Sequence, residues 1–196
     1  MSAAGKPESV KNRQKRTELR ALPKIRNMTM NTDHEVLQST GFTIREGREE
    51  DFPSLLALIK ELAEYERSPD AVTNTVEQME QEKNHFRCFV AESPEYGIVG
   101  MALYFFAYFT WVGKSIYLED IIVSREFRNR KIGAALMRRV MQEARDENCK
   151  RVRWQVLNWN EPAISFYRKC GAEINSDWLN CTFDEKGIVL FNEMMS

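Results

Sequence analysis

Histidine and cysteine are scarce in this chain, two and four among 196 residues. His34 and His85 stand apart, and Cys88, Cys149, Cys170 and Cys181 show no Cys-x-x-Cys spacing. A structural zinc site needs clustered thiolates and imidazoles, so no metal is expected. Four unpaired thiols, expected to be buried, suit a reducing compartment. The first 25 residues lack the apolar core of a secretory leader. An excess of positive charge is also missing: 28 basic and 29 acidic side chains give −1, so nucleic-acid binding is not expected. Nor is there a run of about 20 apolar residues, the length a spanning helix needs. The longest uncharged stretch, Gly97–Gly113, is aromatic-rich and interrupted by glycine. It reads as strand buried on both faces, and no membrane contact is expected.

What the chain does have is enough apolar and aromatic residues, 43% and 11%, for one core. Charge divides unevenly along it. Residues 1–40 carry eight basic and four acidic side chains, including the cluster Lys11–Arg16, against 20 and 25 in residues 41–196. The expected organisation is a disordered basic extension over 1–40 and a single domain over 41–196. A cytoplasmic location is expected, with mitochondrial targeting by residues 1–30 left open.

Hydrophobic periodicity gives the elements of that domain. Phe42–Arg48 alternates like an edge strand. Phe52, Leu55, Leu56, Ile59, Leu62 and Ala63 recur at helical spacing, so Asp51–Tyr65 is a helix, capped by Asp51 with Pro53 in its first turn. A polar helix over Thr75–Lys83 follows, then strands Phe86–Glu92, Ile98–Phe109 and Ser115–Val123. A helix runs from Gly133 to Glu147, a strand from Lys150 to Leu157, and a short helix from Glu161 to Cys170 with Gly171 beyond it. Trp178–Phe183 and Gly187–Met194 read as a final hairpin. The fold class is α/β: one mixed α+β sheet.

Three places carry chemistry. At Ile121–Leu136 a strand ends in Ile121-Ile122-Val123, and a turn bearing Arg125, Arg128, Arg130 and Lys131 leads into a helix at Gly133. Helix N-terminal amides and cations suit an anion, although solvated basic loops are equally common. Glu119 and Asp120 interrupt an apolar strand. Adjacent strand positions face opposite ways, so one carboxylate would face the core with a raised pKa, unless a bulge leaves both solvated. Tyr167, in the helix after Asn160-Glu161-Pro162, is a packing residue or a proton donor. Tyr65 and Glu66 close the first long helix, as a frayed end or as part of a site.

Arg128-Asn129-Arg130-Lys131-Ile132-Gly133-Ala134 resembles the acetyl-CoA pyrophosphate loop of the GNAT N-acetyltransferases, usually Q/R-x-x-G-x-G/A, with Lys131 at the first glycine. Ile59–Glu66, Tyr117–Asp120, and Trp159–Pro162 with Phe166-Tyr167 resemble the diamine (spermidine/spermine) acetyltransferase branch, over residues 42–196. The resemblance implies a GNAT-type single-domain fold and acetyl transfer from acetyl-CoA to a primary amine of a small polyamine by direct attack. Acetylation of thialysine, as in the sister branch, is the alternative; protein lysine acetylation and a non-catalytic acyl-CoA-binding module are more distant.

It also implies roles. Glu119 is the general base and Tyr167 the acid for the leaving thiolate. Ile121, Ile122 and Val123 offer main-chain groups to the coenzyme, with Arg128–Ala134 and the turn at Asn160, Pro162 and Ala163. Tyr65, Glu66, Asp120, Trp154 and Gln155 line the amine site. A homodimer with exchanged C-terminal strands is implied, the apolar Ile188–Phe191 supplying an edge.

Overall fold

The computed structural model describes residues 41–196. The basic extension expected over 1–40 lies outside the described residues. The sheet has five strands in chain order: β1 (Thr43–Glu46), β2 (Arg87–Ser93), β3 (Gly97–Phe109), β4 (Gly113–Val123) and β5 (Val152–Arg153). The first four pair antiparallel, and β5 lies parallel to β4. Uncharged Gly97–Gly113 is thus strand and hairpin turn, buried at Val99–Ala102 and Tyr104 between two layers of helix. Tyr108 and Trp111 near the turn are exposed, so the expected burial on both faces holds for the first half alone. No helix among the described residues is long and apolar enough to cross a membrane.

One layer is α1 (Phe52–Tyr65) with α2 (Val76–Gln81). Phe52, Leu55, Leu56 and Leu58 of α1 pack with Met79 onto Val90, Met101 and Ile122. The other layer is α3 (Ile132–Asp146), which buries Ile132, Leu136, Met137, Val140 and Ala144 against Phe89, Tyr104, Ile116 and Leu118. Each such fully buried side chain contributes about 1.5–3 kcal/mol. Gly100 permits the close approach of β3 to β4 beneath this layer: a Cβ there would lie 2.9 Å from the Ile122 carbonyl oxygen. After β5 come α4 (Glu161–Lys169) and α5 (Glu185–Met195). Gly171, at φ +86°, closes α4 in the left-handed conformation that glycine tolerates.

Four expectations need correction. Asp51 does not cap α1 with its side chain. Its carboxylate instead takes Arg45 at 2.7 and 2.9 Å and the Arg48 amide at 2.7 Å, in a network that includes Glu92. Arg45 accordingly holds Asp51 below the usual carboxylate range. The strand expected over Lys150–Leu157 shrinks to Val152–Arg153, because the chain beyond Arg153 swings away from β4. The final hairpin does not form. Trp178–Phe183 joins no strand ladder among the described residues, and Asp184 accepts the Gly187 amide at 2.7 Å, capping a helix where a turn was expected. Ile188–Phe191 therefore lies in α5 and offers no strand edge. Of the thiols only Cys88 is buried; Cys170 and Cys181 are exposed.

Candidate active site

Past Tyr117 and Arg153, β4 and the segment after β5 have no ladder pairs and part company. The space between them is a cleft of about 290 Å³. Leu118–Val123 form one wall, Trp154–Leu157 the other, and Leu62, Tyr65 and Glu66 from the end of α1 close one side. Asn160, Pro162, Ala163, Phe166 and Tyr167 bring the start and middle of α4 into the same space.

A β-bulge sets the carboxylates. Leu103 pairs with Asp120 and Tyr104 with Leu118, so Glu119 is the extra residue of β4. Glu119 is exposed and Asp120 half-buried, so the bulge solvates one acid and tucks the other in. Burial, and then the charges of Glu119 and Glu66, push the Asp120 carboxyl up to about 6. Glu66, the residue that caps the end of α1, is raised by burial as well. Tyr167 is 7% exposed, packed by Trp154 and Phe166 with ring centroids at 5.2 and 5.4 Å. Burial first, with lesser contributions from Cys170, Asp120 and Glu66, pushes its hydroxyl up to about 12, which keeps the proton on at neutral pH. The cleft thus pairs a carboxylate that ionises near neutrality with a phenol that stays protonated.

Side chains tie the walls together. The Tyr65 hydroxyl donates to Asn160 Oδ1 at 3.1 Å, and the same oxygen caps α4 by accepting the Ala163 amide at 3.2 Å. Tyr65 also packs on Trp159 at 6.0 Å, and the Arg128 guanidinium lies over the Tyr65 ring while donating to the Val123 carbonyl at 3.1 Å.

The loop before α3 is shaped for an anion. Asn129 and Lys131 are left-handed (φ +64° and +62°), and no side chain caps the first turn of α3. Arg130 and Lys131 are exposed there. The left-handed backbone at Lys131 costs a non-glycine residue about 1–2 kcal/mol.

Most of the expected residues meet in this cleft, in different capacities. Ile122 and Ile132 bury their side chains in the two cores, so only their main chain is on offer. Asn129–Ala134 lie in the loop and first turn beyond Arg128, the last of the series in the cleft wall. Trp154 belongs to the core as much as to the wall. Gln155 is exposed and bonded to Asn180 at 2.5 Å. Sequence reasoning passed over the apolar lining Leu62, Leu118, Val156, Leu157 and Phe166, whose spacing is that of ordinary core residues. Among the described residues no group of three His, Cys, Asp or Glu side chains is placed to hold a metal ion.

A mixed sheet whose last two strands part around a carboxylate and a phenol has the groups that acyl transfer to an amine uses. The chain belongs to the acetyltransferase (GNAT) family, whose model matches residues 45–172. It is 41% identical over 140 residues to the thialysine N-epsilon-acetyltransferase of Sus scrofa, covering 66% of this chain and 82% of that one. To the Homo sapiens spermidine/spermine N(1)-acetyltransferase-like protein 1 it is 34% identical over 141 residues, covering 67% of this chain and 20% of that longer one. Among solved structures, an aminoglycoside acetyltransferase from an uncultured soil metagenomic sample matches with a TM-score of 0.63. That likeness, at 21% identity over 74% of this chain and 98% of that one, concerns the fold alone. The chain is therefore an acetyl-transferring enzyme with an amine acceptor.

Proposed function

We propose that this enzyme transfers the acetyl group of acetyl-CoA to the terminal primary amine of a small aliphatic molecule that carries a second ammonium group. The observation that carries the proposal is the meeting of Asp120, Glu119 and Tyr167 in the cleft where β4 and β5 part.

The residues present fit the coenzyme. The unpaired edge of β4 at Ile121–Val123 suits a pantetheine chain, and the uncapped start of α3 with Arg130 and Lys131 suits a pyrophosphate. Bound there, acetyl-CoA supplies an activated thioester. An aliphatic amine arrives protonated, since its pKa is about 10.4. Asp120 and Glu66 hold the cationic chain, and Glu119, on the solvated bulge, takes the proton through water before attack. Main-chain amides at Ile121–Val123 polarise the thioester carbonyl in this reading. Tyr167 gives its proton to the departing thiolate.

Two acceptor kinds fit. Three carboxylates, Glu66, Glu119 and Asp120, suit a polyamine such as spermidine. The relatives named for thialysine acetylation favour a lysine-like amino acid. A panel of spermidine, spermine, putrescine, thialysine and lysine, followed by acetyl-CoA consumption, tests the proposal. Turnover with at least one is expected, and none with any would overturn it.

We also propose a homodimer. Ile188, Val189, Leu190 and Phe191 are 49–58% exposed in the single chain, leaving an apolar surface on α5 for a second copy. Light scattering at micromolar concentration should return twice the chain mass, and a monomer would refute this.

A further inference from the structure

The turn that ends α1 uses a residue that its geometry does not favour. The Ser68 amide donates to the Ala63 carbonyl at 2.9 Å, and the Arg67 amide to the Glu64 carbonyl at 3.1 Å. That pair of bonds is a Schellman closure, with Glu66 as the cap and Arg67 in the left-handed position at φ +63°. The same closure ends α4, where Gly171 takes the left-handed place. Glycine is the usual residue there, because a side chain is strained in that conformation.

The arginine side chain has a partner that glycine would forgo. Its guanidinium lies over the Trp159 ring at 4.8 Å. On the other side of Glu66, Tyr65 packs on the same ring at 6.0 Å and donates its hydroxyl to Asn160 Oδ1. Both chain neighbours of Glu66 are thus fastened to one turn, which the Asn160 amide closes on the Leu157 carbonyl at 2.9 Å. Trp159 is not part of the cleft lining and is 39% exposed, so its ring braces the site from outside. Glu66 does line the cleft, half-buried, and its charge is felt at both Asp120 and Tyr167. Strained backbone persists where its surroundings over-determine it. Here the contacts that do so converge on the residues flanking one carboxylate.

We propose that Arg67 and Trp159 form a positioning clasp, which holds the turn after α1 against the start of α4 so that Glu66 reaches into the cleft and reads the second ammonium of the amine acceptor. The proposal rests on the reading of the cleft as an amine acetylation site.

Acceptor pairs that differ by one ammonium test it at saturating acetyl-CoA: putrescine against 1-aminobutane, and thialysine against its analogue without the α-amino group. The wild type should favour the doubly charged member of a pair. Arg67→Met should raise the KM of that member roughly 3–5-fold, the size of one exposed cation–π contact, and leave kcat unchanged. The singly charged member should stay within about twofold. The sign is diagnostic, because losing a cation beside an acidic cleft would by field alone help a dication bind. Arg67→Lys should restore much of the loss, and Trp159→Phe should lose less than Trp159→Leu. Arg67→Gly separates position from stability. Glycine suits the left-handed turn, so this variant should melt no lower than the wild type and still bind the dication as poorly as Arg67→Met does. Combined with Glu66→Gln, Arg67→Met should add nothing. An unchanged or lowered KM for the dication in Arg67→Met and Arg67→Gly would overturn the clasp. So would an equal rise for both members of a pair, or full additivity with Glu66→Gln. A wild type indifferent to the second ammonium overturns it too, by removing the role of Glu66. Failure of the wild type on every amine sinks the reading of the cleft itself.

Discussion

Strand β4 and the segment after β5 face each other across the cleft, one held by main chain and the other by side chains. β4 makes ten ladder pairs with β3 and is backed by both cores, whereas β5 makes two pairs with β4 before the chain departs. The first wall carries the acids on a bulge fixed by backbone hydrogen bonding. The second wall, with α4, carries the proton donor, which is placed by ring packing and by the Tyr65–Asn160 hydrogen bond. Groups on the ladder-held wall are therefore set by register, and charge substitutions there change chemistry more than geometry. On the other wall, packing substitutions move the site itself.

The largest effect that tests this division is at Tyr167. Tyr167→Phe keeps the ring and its contacts and removes only the proton, so kcat should fall about 10²–10⁴-fold with KM for acetyl-CoA little changed. A variant at the wild-type rate would return Tyr167 to a purely packing role. Next is the loop before α3, anchored at the β4 side. Reversing its two exposed charges, with Arg130→Glu and Lys131→Glu together, should weaken acetyl-CoA binding by about 1–3 kcal/mol in calorimetry. Unchanged affinity with an intact circular dichroism spectrum would remove the loop from the coenzyme site.

Asp120→Asn sharpens the comparison through stability. Burial and its acidic neighbours raise the folded carboxyl from 3.8 to about 6. The neutral form is thus favoured by folding: this contribution is complete below about pH 4 and lost as pH rises through about 6. Asparagine cannot ionise, so the variant should gain about 1–3 kcal/mol over wild type above pH 7 and nothing at pH 4 in urea denaturation. A variant less stable at both pH values would show that the carboxylate is paired and not merely buried. The smallest effect belongs to the tie between α1 and α4. Tyr65→Phe should cost about 0.5–1.5 kcal/mol, read in the same titration, with a larger fractional effect on KM for coenzyme than on kcat. No change in either would show the second wall to be held by packing alone.

Much of the fold was legible because its signals are local. The helical spacing of Phe52–Leu62 and Leu136–Ala144, Gly171 past the end of α4, and the strand character of Gly97–Phe109 are written in short windows of sequence. The errors fell where the partner decides. Lys150–Leu157 has strand composition throughout, yet pairing ends at Arg153 because the chain beyond it leaves β4; that departure is what opens the cleft. Trp178–Phe183 alternates like a strand but finds no strand partner among the described residues, and Asp184 serves as a cap where a turn was read. The site was legible as an inventory, since Glu119, Asp120 and Tyr167 break an apolar pattern or follow a turn. Which carboxylate is tucked in was not, because a bulge defeats the alternation rule.

The central claim is that an ionised Asp120 on the β4 wall binds the amine that is then acetylated. The pH dependence of kcat/KM, measured with saturating acetyl-CoA for wild type and for Asp120→Asn, tests it most directly. The account predicts a wild-type profile that rises as Asp120 ionises near pH 6, and a variant that is slower and lacks that limb. The same limb in both enzymes, or a variant as fast as the wild type, would contradict it.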